Sequence, residues 1–188
     1  MRLAYLYLCT RRTGPTLALL AVVAVMTWVW RRVGAGDAFG ITLLITIPPL
    51  VAACVIGATT SSPLADLEAT ASRALPPLRL GHLGALLGLA ALGLAAVSGA
   101  LDGALVRDLA GFTGLALLTA RLVGSAAAWI VPLGYGALAV LVGPGPRWAW
   151  PVQAATNREA VVIAATLLAL GLGVVVWLGA RVQTGDTA

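Results

Sequence analysis

VVIAATLLALGLGVVVWLGA, residues 161–180, runs for twenty residues without a charge, and its apolar side chains point in every direction around a helix. At about 1.5 Å of rise per residue, a helix of this length matches the roughly 30 Å hydrocarbon core of a bilayer. A closed β-barrel also satisfies its backbone in lipid, but its strands alternate in polarity. Neither this stretch nor LALLAVVAVMTWVW at 17–30 alternates.

The rest of the chain agrees. Its 188 residues are 60% hydrophobic and 10% charged, with a mean hydropathy of +0.98, which excludes an ordinary soluble domain. Uncharged runs predict spans at about 14–30, 39–59, 83–101, 109–123, 125–143 and 160–179. The expected fold is therefore all-α: a polytopic membrane protein with six transmembrane helices in a single domain over 1–188. The fourth span is short, because few uncharged residues separate Asp108 from Arg121, which is expected to reach back to headgroups from the span's end. One long, broken helix over 109–143 is the competing reading.

The formal charge of +5 comes from arginines, with no lysine, and they form no basic cluster of the kind that binds nucleic acid. Cys9 and Cys54 are too few and too scattered for a disulfide framework. CTRRTGPTLALLAVVAV resembles a signal peptide but lacks a small-residue cleavage site, so it reads as a retained first helix. His82 is the only histidine. That excludes multi-histidine metal sites and leaves capping of the third span as its expected task. No nucleophile stands with a base, so no enzyme is expected.

Arg2, Arg11 and Arg12 precede the first span, which by the positive-inside rule, with six spans, places both termini in the cytoplasm; Arg31 and Arg32 pull the other way. MRLAYLYLCTRR reads as an N-terminal interfacial helix or as a tail. Trp28, Trp30, Trp148, Trp150 and Trp177 fall at span ends as an aromatic belt. Pro48, Pro49 and Pro132 are expected to kink their spans. Gly84 with Gly88, and Gly99 with Gly103, match the small-xxx-small spacing of close helix pairs. Asp102, Arg107 and Asp108 read as an outer polar loop. In GPGPRWAWPVQAATNRE, residues 143–159, Thr156 and Glu159 form a capping box before the sixth span, and the segment reads as a short re-entrant or interfacial element.

SSPLADLEATASRALPPLRLGH, residues 61–82, looks soluble. Ser62 is a good N-cap, Pro63 suits the first helical position, Asp66 and Glu68 lie near the positive end of the dipole, and Pro76 and Pro77 stop the helix. Leu64, Leu67, Ala71 and Ala74 share one stripe, and Asp66, Thr70 and Arg73 another. About 12 residues make about 18 Å of helix, too short to span and marginal alone. It needs either headgroups or another protein to rest on.

Ala69, Thr70, Ala71, Ser72 and Arg73, followed by Gly81 and His82, resemble the region between the second and third spans of permeases in the type-2 ABC exporter family. There an Ala-Thr-Pro-x-Ser-Arg run and a Gly-Lys pair precede the third span. The layout is similar over nearly the whole chain. The resemblance implies a coupling helix over 63–75, with Leu64, Asp66, Leu67, Glu68, Thr70, Ser72 and Arg73 seated on an ATP-binding-cassette ATPase subunit. It also implies pairing with a second permease chain, as homodimer or heterodimer, and export of a hydrophobic or amphipathic compound such as a peptide antibiotic, drug or lipid. The chain has no G-x-x-x-x-G-K-[ST] loop, so it is expected to bind no cofactor itself, with ATP and Mg held by the partner. The alternative is a stand-alone six-helix transporter, or an accessory or immunity protein. An ion-coupled transporter calls for an ionisable residue deep in a span, and apart from Arg121 the sequence suggests none.

Overall fold

The computed structural model describes residues 13–33, 37–60, 75–98 and 103–178. Six helices in this set are long and apolar enough to cross a membrane, and no strand occurs among the described residues. They are α1 (Thr13–Val33), α2 (Ala38–Ala58), α3 (Leu75–Ser98), α4 (Gly103–Leu122), α5 (Ile130–Val142) and α6 (Arg158–Leu178). A 3-10 turn at Ser125–Ala127 leads into α5, and another at Trp150–Val152 lies between α5 and α6. The chain is thus a multi-pass membrane protein. The expected interfacial helix at the amino terminus, and all of the expected coupling helix except Leu75, lie outside the described residues.

Elements differ from the expected spans at polar and proline residues. α3 begins at Leu75, eight residues before the expected start, so Pro76 and Pro77 occupy its first turn. Proline suits that position, because the first turn has no intrahelical acceptor for its missing N–H. Gly81 and His82 therefore lie inside the helix, with His82 buried, and His82 does not cap its start. α4 begins at Gly103 and takes in Arg107 and Asp108. The long helix over 109–143 does not form, since α4 ends at Leu122 and Gly124, at φ 120°, turns the chain into the following 3-10 turn. Pro132 sits in the first turn of α5 and removes no intrahelical bond, whereas Pro48 and Pro49 lie mid-way along α2.

α4 is the axis of the bundle. It is the least apolar of the six, yet 72% of its membrane-length stretch is buried, against 17% for α1. It packs most extensively on α6 and α2. Lipid tails are as apolar as leucine, so close approach and buried polar bonds rather than water exclusion select the partners. Gly114 and Gly171 supply the approach: a Cβ on Gly114 would lie 2.3 Å from the Leu167 carbonyl oxygen, and one on Gly171 would lie 2.6 Å from that of Gly114. On the α2 side a Cβ on Gly57 would lie 2.8 Å from the Ala116 Cβ. Gly84, Gly88 and Gly103, expected at such crossings, have no neighbour within 4 Å of a Cβ position.

Leu50, Ala53, Phe112, Trp150, Ala160 and Ala164 form one core cluster. The other is built from Ala52, Ile56, Leu83, Leu86, Ala90, Leu94, Leu109, Leu117 and Val175. The ends of α2 are closed by side chains. Asp37 accepts from Gly40 N at 3.2 Å at the amino end. Thr59 and Thr60 hydroxyls donate to the Ile56 and Gly57 carbonyls at 2.6 and 2.8 Å at the other. α6 is capped by Asn157, whose Oδ1 accepts from Ala160 N at 3.2 Å; the cap is thus one residue beyond the expected Thr156 box.

Candidate functional site

The end of the bundle where α4 begins is closed by residues 144–157, which carry little regular structure and satisfy their backbone partly through turn bonds, such as Trp150 N to the Trp148 carbonyl and Asn157 N to the Ala154 carbonyl, and partly through side chains. Arg107 supplies the largest share of the side-chain bonds. Its Nη1 donates to the Ala154 carbonyl at 2.9 Å, and its Nη2 donates to those of Gln153 at 3.1 Å and Pro151 at 3.3 Å. Nε donates to Asp108 Oδ1 at 2.9 Å. Arg107 is 4% exposed and Asp108 0%. Adjacent residues on a helix do not face each other, so the guanidinium folds across α4 to meet its neighbour's carboxylate while its outer edge binds the segment above.

The sequence placed this pair in an outer loop. A charge reads as a loop when only hydropathy is weighed, but here the pair neutralises itself and the guanidinium adds donors to three carbonyls of the connection.

Trp150 completes the closure. Expected in the interfacial belt, it is instead 1% exposed, whereas Trp28, Trp148 and Trp177 are exposed as the belt requires. Its ring lies on Gly111, where a Cβ would come within 2.3 Å of it. The ring centroid is 5.1 Å from that of Phe112 and 5.9 Å from that of Tyr135, stacked on the latter. The Tyr135 hydroxyl donates to the Trp148 carbonyl, and Gln153 Nε2 donates to the Pro146 and Arg147 carbonyls at 2.9 and 3.2 Å. Arg107, Gly111 and Gly114 recur at i, i+4 and i+7, one helical stripe. That spacing is the sequence signal for α4 as a packed axis.

At the opposite end lie Thr60 and Leu75, the anchors of residues 61–74. Leu64, Asp66, Leu67, Glu68, Thr70, Ser72 and Arg73, expected to contact an ATPase, all fall within that segment and outside the described residues. Arg79 follows in α3, and Arg121 lies in the last turn of α4. Among the described residues no three His, Cys, Asp or Glu side chains group as ligands for a metal ion. The chemistry the site offers is positional: a buried cation holds three peptide carbonyls and seats an aromatic ring in the bundle. No protein-family model, curated protein or solved structure matches the chain.

Proposed function

We propose that the chain is the membrane-spanning permease subunit of a bacterial ABC exporter. It moves a hydrophobic or amphipathic compound, a peptide antibiotic, drug or lipid, using ATP hydrolysed with Mg in a separate ATP-binding subunit. It works beside a second permease chain in the cell membrane, with both termini cytoplasmic. The interfacial helix over the first twelve residues and the coupling helix over 63–75 belong to this reading.

The observation that carries it is the division of labour between the two ends. A built segment, 144–157, folds over one end of six membrane-length helices. The proline-bounded, charge-bearing connection 61–74 is anchored at the other by α2 and α3. A short amphipathic helix there needs a surface, and an ATPase supplies one. Purification of the tagged chain in mild detergent tests this. A phosphate-loop ATPase is expected to accompany the wild type and to be lost from Asp66→Arg and Arg73→Glu. Its absence from the wild type, or its retention by both variants, refutes the proposal.

One observation favours a stand-alone transporter instead. Arg107 and Asp108 are buried ionisable groups in the second turn of a membrane-spanning helix, near its end rather than deep in the span, where an ion entering from that side could meet the carboxylate. Uptake or efflux by the lone chain in vesicles, driven by an ion gradient without ATP and abolished by Asp108→Asn, separates the two.

A further inference from the structure

An apolar groove of about 200 Å³ runs between α1, α2 and α3, lined by residues including Leu17, Leu20, Ala24, Leu89, Gly93 and Leu94. It is shaped by small residues: a Cβ on Gly93 would meet only the Ala24 Cβ, at 3.8 Å. Leu17, Ala24 and Arg31 recur at seven-residue spacing on α1 and share one helical stripe, so the line of the groove leads to the α1 end that carries Arg31 and Arg32. Both arginines are exposed. Arg31 Nη1 donates to the Val97 carbonyl at the end of α3, at 2.9 Å, which uses one of its five donors. The Arg32 guanidinium lies 5.1 Å from the Trp28 ring centroid. Asp37, six residues beyond Arg31, accepts from Gly40 N at the amino end of α2.

We propose that this groove and the arginine pair together bind one anionic glycerophospholipid. The phosphate takes the free edge of the Arg31 guanidinium, with Arg32 adding a second positive charge at the same end of α1, and one acyl chain lies in the groove. The distances fit. At about 1.5 Å per residue, the groove lies about 10 Å below Arg31 at Ala24 and about 21 Å below it at Leu17. A leaflet's hydrocarbon is about 15 Å deep, half of the roughly 30 Å core, so the last third of a chain anchored at Arg31 reaches the near part of the groove, where Ala24 and Gly93 lie. Two adjacent arginines select an anionic headgroup over a zwitterionic one, and a guanidinium binds phosphate by a bidentate fork. The assignment depends only on the chain being in a membrane, not on what it transports.

The test uses the full-length chain in detergent, offered palmitoyl-oleoyl phosphatidylglycerol and phosphatidylcholine of the same acyl composition, with bound lipid read by native mass spectrometry. One phosphatidylglycerol is expected to stay bound, preferred over phosphatidylcholine by roughly tenfold or more, given two basic side chains near the surface. Arg31→Gln with Arg32→Gln keeps a donor for Val97 and is expected to erase the preference, while Arg31→Lys with Arg32→Lys retains it. Gly93→Leu leaves both charges in place, fills the groove, and is expected to lose the lipid. Equal retention of the two lipids by the wild type overturns the proposal. So does undiminished phosphatidylglycerol on the glutamine pair or on Gly93→Leu, or its loss from the lysine pair.

Discussion

Replacing Arg107 with methionine keeps the length and apolar stem of the side chain and removes its charge. Asp108, fully buried, then loses its 2.9 Å guanidinium partner, and the carbonyls of Pro151, Gln153 and Ala154 lose the donors that hold them to α4. Removing one member of a buried pair is expected to cost about 3–5 kcal/mol. In Arg107→Met with Asp108→Leu no charge is left behind. The Ala154 carbonyl keeps its bond from Asn157 N, that of half-buried Gln153 can take water, and that of buried Pro151 loses its donor, so the double change is expected to cost about 1–3 kcal/mol. Thermal unfolding of the chain in nanodiscs reads the difference. At about 2–4 °C per kcal/mol for a chain of this size, the single variant should melt roughly 6–20 °C below the wild type and clearly below the double variant. A single variant as stable as the wild type, or a double variant less stable than the single, would refute the assignment of Arg107 and Asp108 as a mutually dependent buried pair.

Three further outcomes are expected in the same assay. Gly114→Ala forces a Cβ to within 2.3 Å of α6 backbone and should cost about 1–3 kcal/mol or more by overpacking, whereas Gly84→Ala and Gly88→Ala meet nothing within 4 Å and should be neutral or stabilising by up to about 1 kcal/mol. Trp150→Ala should cost about 3–5 kcal/mol by emptying a packed site, and Trp177→Ala, 80% exposed, well under 1 kcal/mol on the footing of an ordinary surface change. Asn157→Ala removes the α6 cap and should cost about 0.5–2 kcal/mol, while Thr156→Ala should leave the melting temperature unchanged.

The number of spans was legible because it rests on the length of uncharged runs, which bilayer thickness sets directly. Their arrangement was not, and the reason differs from residue to residue. Gly84 and Gly88 carry the small-xxx-small spacing and face outward, while Gly114 and Gly171 lie in different helices, more than fifty residues apart, and meet only once the bundle is assembled. Spacing within a helix says that a face is smooth, not that another helix lies on it. Trp148 and Trp150 illustrate the same gap. Two positions apart around a tight connection, one ring faces the interface and the other the core, and which is which depends on Gly111 in another helix. Arg107 and Asp108 were misplaced because hydropathy treats a charge as an obligation to reach water, and the guanidinium's ability to neutralise a neighbour and bind three carbonyls is a tertiary property.

The placement of polar contacts constrains how the bundle can change shape. At the 144–157 end, four helices and the segment are tied by Arg107, Tyr135, Gln153 and the Trp150 ring, interactions that act together. At the other end the Thr59 and Thr60 hydroxyls bond carbonyls three residues back in α2. α2 carries two prolines mid-way, which remove the N–H groups that would have bound the Leu44 and Ile45 carbonyls and leave the helix its weakest point there. Its last turn is pressed on α4 through Gly57 and Ala116. A force applied where α2 runs into residues 61–74 therefore meets a helix that lacks two backbone bonds at Pro48 and Pro49 and an axis, α4, that reaches the length of the bundle to Arg107. If the proposed ATPase acts at that end, α4 is a member through which its stroke reaches the closed end, because it packs on α2 at Gly57 and also carries the residue that fastens the segment opposite.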